Sequence, residues 1–181
     1  VLEMQATPVQ GAGSFTLTCA GTAPGAAKNT GTAQIDDVAL ILHTSGTTSR
    51  PKIVPLSHRN VCASARNISQ VLRLTADDRE LHVMPLFHIH GLIAGVLAPW
   101  AVGSQIFCTP GFNALKFFAW MKECKPTWYT AVPTMHQTIL SRASGNLVVI
   151  AANPLRLIRS SSSSMPTQVI AELEAVFKAP L

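Results

Sequence analysis

Between His43 and Lys52 the chain reads HTSGTTSRPK, in which Thr44, Ser45, Thr47 and Thr48 surround one glycine, Gly46, and a Pro-Lys pair closes the stretch. Small hydroxyls and neighbouring backbone N–H groups can donate together to an oxyanion, and a glycine lets the backbone approach it closely. Lys52 adds a point charge. This chemistry suits phosphate, although the spacing is not that of the Walker A loop, which needs a second glycine directly before its lysine. A second cluster, PLFHIHGL from Pro85 to Leu92, sets His88 and His90 beside an apolar run. An imidazole there is either a satisfied structural group or a donor to an oxyanion. Five serines, Ser160 to Ser164, form the third cluster. No Gly-x-Ser-x-Gly elbow surrounds them, so they indicate a solvated loop rather than a nucleophile.

Composition narrows the partners. The chain has 181 residues, 48% of them hydrophobic, enough for one compact domain with a sizeable core. The net charge of +5 could favour an anionic partner, yet Lys28, Arg50, Lys52, Arg59, Arg66 and Arg73 are scattered rather than gathered into a stripe. With a single tyrosine and no RNA-binding signature, nucleic acid is not expected as a partner. No window reaches the ~18 uninterrupted apolar residues of a membrane helix, and VLEMQATPVQ lacks the basic-then-apolar order of a signal peptide. A soluble chain without a membrane partner is expected. Cys19, Cys62, Cys108 and Cys124 show no CxxC and no Cys/His metal spacing, which points to a reducing, cytoplasm-like compartment and to no metal held by the cysteines.

The elements that must carry these clusters follow from periodicity. Residues 1–34 hold one alternating strand, FTLTCA, within a loose connecting segment. VALILH, Val38 to His43, reads as a buried parallel strand that delivers the hydroxyl loop at its carboxyl end, where ligands bind in open α/β sheets. KIVPLS is a strand broken by Pro55, and Ser57 caps a helix through Leu72. Strand ELHVMPL, the apolar helix GLIAGVLAPWAVG, strand SQIFCT and helix NALKFFAWMKEC capped by Asn113 come next. Strand TWYTAV, a helix opened by Pro133, strand LRLIRS and helix PTQVIAELEAVFKA complete the chain. Strands that alternate with helices demand crossovers, so the fold class is α/β, a mostly parallel sheet with helices on both faces over residues 35–181.

Three ordered blocks resemble the adenylate-forming superfamily of acyl-CoA synthetases, luciferases and peptide-synthetase adenylation domains. TSGTTSRPK is similar to that family's phosphate-binding signature, with Ser49 where the family has Gly. PLFHIHGL resembles its His-bearing acyl-site motif, and LRLIRSSSSSMP the strand and loop before its adenine-binding turn. The resemblance covers residues 36 to 181. It implies that Thr44, Ser45, Gly46, Thr47 and Thr48 hold the phosphates of ATP, with Lys52 in support. It implies that His88 or His90 lines the acyl pocket, His88 being favoured as the catalytic donor. It also implies that Ser162, Ser163 and Ser164 border adenine and the acyl pocket, where polar side chains suit a small polar carboxylic acid.

The implied parent activity is an ATP-dependent acid:CoA ligase using ATP, Mg2+ and CoA. The family's Tyr-Gly-x-Thr-Glu motif and adenylation lysine are not among these residues. The expectation is therefore an internal fragment of the large domain, not catalytically competent alone, with exposed faces open to self-association. Two alternatives stay open, a free-standing nucleotide- or acyl-binding module and a piece of a peptide-synthetase adenylation domain.

Overall fold

The structure, a computed structural model, describes residues 2–11, 14–21, 25, 31–44 and 52–181. Two compact units divide the chain, Val1–Gln34 and Ile35–Leu181. In the first, β1 (Leu2–Ala6) pairs antiparallel with β2 (Phe15–Cys19), from Leu2 opposite Cys19 to Ala6 opposite Phe15. Only the second of these strands was expected, because LEMQA is too short an alternation to separate from coil.

The second unit opens on β3 (Val38–Thr44) and β4 (Lys52–Ser57), and here the structure corrects the sequence reading. β3 is not a buried parallel strand. It pairs antiparallel with β4, and Val38 and Ile41 are 57% and 56% exposed. The connection from Thr44 to Lys52 is shorter than a parallel crossover requires, so the two strands pair as neighbours. Pro55 does not break β4, since a proline is tolerated in a strand that has a free edge. Ser57 caps α1 (His58–Val71) as expected: its Oγ accepts from the Asn60 N–H at 3.3 Å, and Asn60 Oδ1 accepts from the Ser57 N–H at 3.0 Å.

A parallel sheet follows, made of β5 (Arg79–His82), β6 (Gln105–Cys108), β7 (Trp128–Ala131) and β8 (Leu157–Ser160) in the order β6-β5-β7-β8. β5 to β6 runs through a π-helix (His90–Leu97) and α2 (Ala98–Trp100). β6 to β7 carries α3 (Phe117–Cys124), and β7 to β8 carries α4 (Pro133–Leu140) and α5 (Leu147–Ala152). Helix α6 (Thr167–Phe177) follows β8. Asn113 begins a turn ahead of α3 rather than the helix itself, its Oδ1 accepting from the Leu115 and Lys116 N–H groups. Because the chain leaves β5 toward β6 and then returns to the other side of β5, the order reverses between β5 and β7. The carboxyl ends of those two strands are the place where such sheets bind ligands.

Alternation along the strands splits the core between two faces. On one, Leu81, Tyr129, Ala131 and Ile158 pack against Phe117, Met121, Ile139, Ile150, Leu173 and Phe177 of α3 to α6. Each such large side chain taken from water contributes about 1.5–3 kcal/mol. On the other, Trp128 and Leu157 meet Leu74, Ala98 and the Ile68 of α1. Among the described residues no helix is long and apolar enough to cross a membrane.

Candidate functional site

The polar residues of the sheet share the face that α1 and the π-helix cover. Register sets His82 beside Thr130 and Thr130 beside Arg159, so one row of polar side chains crosses β5, β7 and β8. His90, at the start of the π-helix and only 6% exposed, docks on this row. Its Nε2 lies 2.7 Å from Thr130 Oγ1 and 3.0 Å from Arg159 Nη1, and its Nδ1 lies 3.2 Å from Ser162 Oγ. A guanidinium can only donate, so Nε2 is the accepting nitrogen. Nδ1 then carries the proton and donates to Ser162. Burial, reinforced by the positive charge of Arg159, lowers the His90 pKa to about 4, and the ring is neutral near pH 7.

Glycines let the π-helix come this close. A Cβ on Gly95 would sit 2.5 Å from the His82 ring and 2.9 Å from Glu80 Oε1, and a Cβ on Gly91 would meet the Pro85 carbonyl. Beneath Gly95, Glu80 and His82 form a fully buried pair with Oε1 and Nδ1 3.2 Å apart. Burial pushes the Glu80 carboxyl up to about 7, against the pull of His82 and Arg159. Its Oε2 and the His82 Nε2 have no hydrogen-bond partner among the described residues. From the opposite face, His136 Nε2 donates to the Arg159 carbonyl at 3.2 Å while its Nδ1 accepts from Tyr129 OH at 3.0 Å, which fixes the backbone of β8 under the row.

A cavity of about 220 Å³ opens over this row, lined by Ser64 and Ile68 of α1, Ile89, His90, Ile93 and Ala94 of the π-helical segment, and Arg159, Ser161 and Ser162 of β8 and its loop. A backbone bond from Ser161 N–H to the Ala131 carbonyl extends the β7–β8 ladder into the serine loop. Ser162 holds φ at +78°, a left-handed conformation that costs a non-glycine residue about 1–2 kcal/mol. Such strain at a cavity wall is a feature of binding sites.

The structure separates the candidates read from sequence. His90 and Ser162 meet in the cavity. His88 is exposed, and its Nδ1 accepts from the His90 N–H at 3.2 Å. Ser163 and Ser164 are exposed in the following loop. Thr44 and the exposed Lys52 are Cα partners at the open end of the β3–β4 ladder, so they flank the hydroxyl loop from both sides. Ser45, Gly46, Thr47, Thr48 and Ser49 lie outside the described residues. Sequence reading missed Thr130, Arg159 and Glu80. Arg159 alone carried a signal, a charge inside the apolar strand LRLIRS. Among the described residues no group of three or more His, Cys, Asp or Glu is placed to hold a metal ion.

Known proteins share this arrangement of chain. A profile of the AMP-binding enzymes matches residues 5–181. An oxalate–CoA ligase from Arabidopsis thaliana is 46% identical over 81% of this chain and 29% of its own length. The crystal structure of apo MatB from Rhodopseudomonas palustris superposes with a TM-score of 0.73 at 27% identity, over 84% of this chain and 29% of that one. A malonyl-CoA ligase ternary product complex with methylmalonyl-CoA and AMP bound gives a TM-score of 0.73 at 26% identity, over 83% of this chain and 33% of that one. The chain thus spans less than a third of the length of the curated relatives it matches.

Proposed function

As the chain belongs to the family of AMP-binding enzymes, we propose that it supplies the phosphate loop and the acid pocket of an ATP-dependent acid–CoA ligase. The carboxylate of a short polar acid attacks the α-phosphorus of ATP, pyrophosphate leaves, and an acyl-adenylate forms. The thiol of CoA then attacks the acyl carbon, AMP leaves, and a thioester results. The observation that carries this reading is the small cavity that brings His90, Arg159 and Ser162 together beyond the carboxyl end of β8, whose volume of about 220 Å³ suits an acid of a few heavy atoms. The similarity to an oxalate–CoA ligase supports the same size class.

The roles proposed for the hydroxyl loop and for Ser163 and Ser164 rest on the family resemblance, and that of His90 is supported by its place in the cavity. Thr44, Ser45, Gly46, Thr47, Thr48 and Lys52 hold the β- and γ-phosphates, where donors and a cation neutralise the charge that departs with pyrophosphate. When the acid binds, the His90 Nδ1 proton that here meets Ser162 turns to the reacting carboxylate, with Ser162 beside it, while Ser163 and Ser164 border the adenine. His88 fixes the turn that presents His90. A neutral imidazole with its proton on Nδ1 is a donor ready in place and not a base. Mg2+ fits the reaction as the ion carried on the nucleotide phosphates. The free thiols of Cys62, Cys108 and Cys124 suit a reducing compartment such as the cytoplasm.

ATP:pyrophosphate exchange in the full-length protein tests the reading. Exchange that depends on oxalate or another short acid, followed by thioester formation when CoA is added, is the expected result. Exchange driven only by amino acids, with no thioester to CoA, would overturn it.

A further inference from the structure

Among the described residues, Arg159 is the one charged residue in the cavity wall, and no acidic side chain lines it. Its guanidinium is half-buried and is held through Nη1 alone, which donates to His90 Nε2 at 3.0 Å and to Thr130 Oγ1 at 3.1 Å. Among the described residues, the donors on Nε and Nη2 make no hydrogen bond that the geometry records. A half-buried cation so placed, with donors to spare at the wall of a half-open cavity, is costly until an anion meets it.

We infer that Arg159 determines which acid the cavity accepts, by pairing with a second anionic group of the substrate, so that the preferred class is a short dianion such as a dicarboxylate. This rests on the acid–CoA ligase reading. The chemistry of that reaction sharpens the inference. Once the reacting carboxylate is joined to AMP its negative charge is gone, and a monoacid would leave Arg159 facing an uncharged acyl group. A second carboxylate keeps its charge through both half-reactions and stays paired throughout. Arg159 stands at the His90 Nε2 and Ser162 at its Nδ1, so an acid with two anionic groups can meet the guanidinium with one and the imidazole and hydroxyl with the other. Among the described residues, the acid packed under the row is Glu80, and burial holds its carboxyl about half protonated near neutral pH, so it compensates Arg159 only in part.

The test compares oxalate with oxamate, its amide of nearly the same shape and one charge fewer, in the full-length protein carrying Arg159, Arg159→Gln or Arg159→Lys. In pyrophosphate exchange the wild type is expected to favour oxalate by about 100-fold in kcat/KM, Arg159→Gln to reduce that ratio to within about 10-fold, and Arg159→Lys to restore part of it. An unchanged ratio in Arg159→Gln would overturn the inference, and so would equal losses for both acids. Calorimetric titration of oxalate separates this outcome from failure of the ligase reading. Arg159-dependent oxalate binding without exchange for any acid would sink that reading and keep the inference. Exchange with monoacids alone would do the reverse.

Discussion

Ser162 faces two demands, a left-handed backbone at φ +78° and a hydrogen bond from His90 Nδ1. Replacing it with alanine removes the bond and keeps the strain, whereas glycine removes both. Ser162→Gly is therefore expected to be more stable than Ser162→Ala by about 1 kcal/mol, read from denaturant midpoints. The histidine motif and the serine run were legible in the sequence because their residue types are unusual beside apolar runs. Which histidine enters the cavity was not, because that depends on where the π-helix starts. Thr130 was invisible, since one threonine within TWYTAV looks like ordinary strand sequence. Titration gives a second prediction. The folded Glu80 pKa of about 7 lies above its ordinary 4.5, so the folded chain keeps a proton that the unfolded chain releases, and stability falls as pH rises from about 4.5 to 7. His90 and His136, lowered by burial to about 4, act in the opposite sense: their contribution is present above pH 6.5 and is lost as pH falls toward 4. With two histidines favouring higher pH and one carboxyl favouring lower, these three groups place the optimum near pH 6.5. Glu80→Gln, neutral at every pH, should abolish that decline, so that on going from pH 5 to pH 8 the variant gains on the order of 3 kcal/mol of stability relative to the wild type. Melting curves at both pH values check this.

The π-helix is the element on which the cavity depends, and Gly95 is what lets it rest on Glu80 and His82. Gly95→Ala places a methyl 2.5 Å from the His82 ring, so either the buried pair or the helix must move. The expected cost is about 1–3 kcal/mol in denaturant unfolding, together with weaker binding of acid, because His90 moves with the helix. Unchanged stability would show that the packing is looser than these distances imply. At this scale the sequence was informative wherever a period ran unbroken: α1, α4, α6 and the four parallel strands were all readable. It misled at VALILH, where an apolar run looks the same in a buried parallel strand and in a hairpin, and only the short connection to KIVPLS distinguishes the two. The apolar helix was expected, but its π-register was not, because the Ala98 N–H to Ile93 carbonyl bond leaves no mark in composition.

Across the whole second unit, the two ends of the parallel sheet serve different purposes. At the amino ends Asp78, 3% exposed, accepts from Arg156 Nε and Nη2 at 3.0 and 2.9 Å, from Thr127 Oγ1 at 2.7 Å and from the Thr75 N–H at 2.9 Å. Arg156 also reaches the Leu72 carbonyl just beyond α1, so the cluster joins α1 to three segments of the sheet region. Burial alone would raise the Asp78 pKa, but the bonds from Arg156, Thr127 and Thr75 outweigh it and leave the carboxyl lowered. Asp78→Asn is expected to cost about 2–3 kcal/mol in unfolding free energy, with no change in acid selectivity, since the cavity lies at the opposite ends of the strands. That division agrees with the position of the cavity at the switch point, where residues serve ligands rather than stability. The central claim, that this cavity holds the activated acid, is tested most directly by calorimetric titration of an oxalyl-sulfamoyl adenosine, an uncleavable mimic of the acyl-adenylate, into the full-length protein and its His90→Ala variant. Tight binding to the wild type is expected, with a loss of about 100-fold in the variant. Equal affinity for the two proteins, or binding of the mimic no tighter than that of AMP, would contradict it.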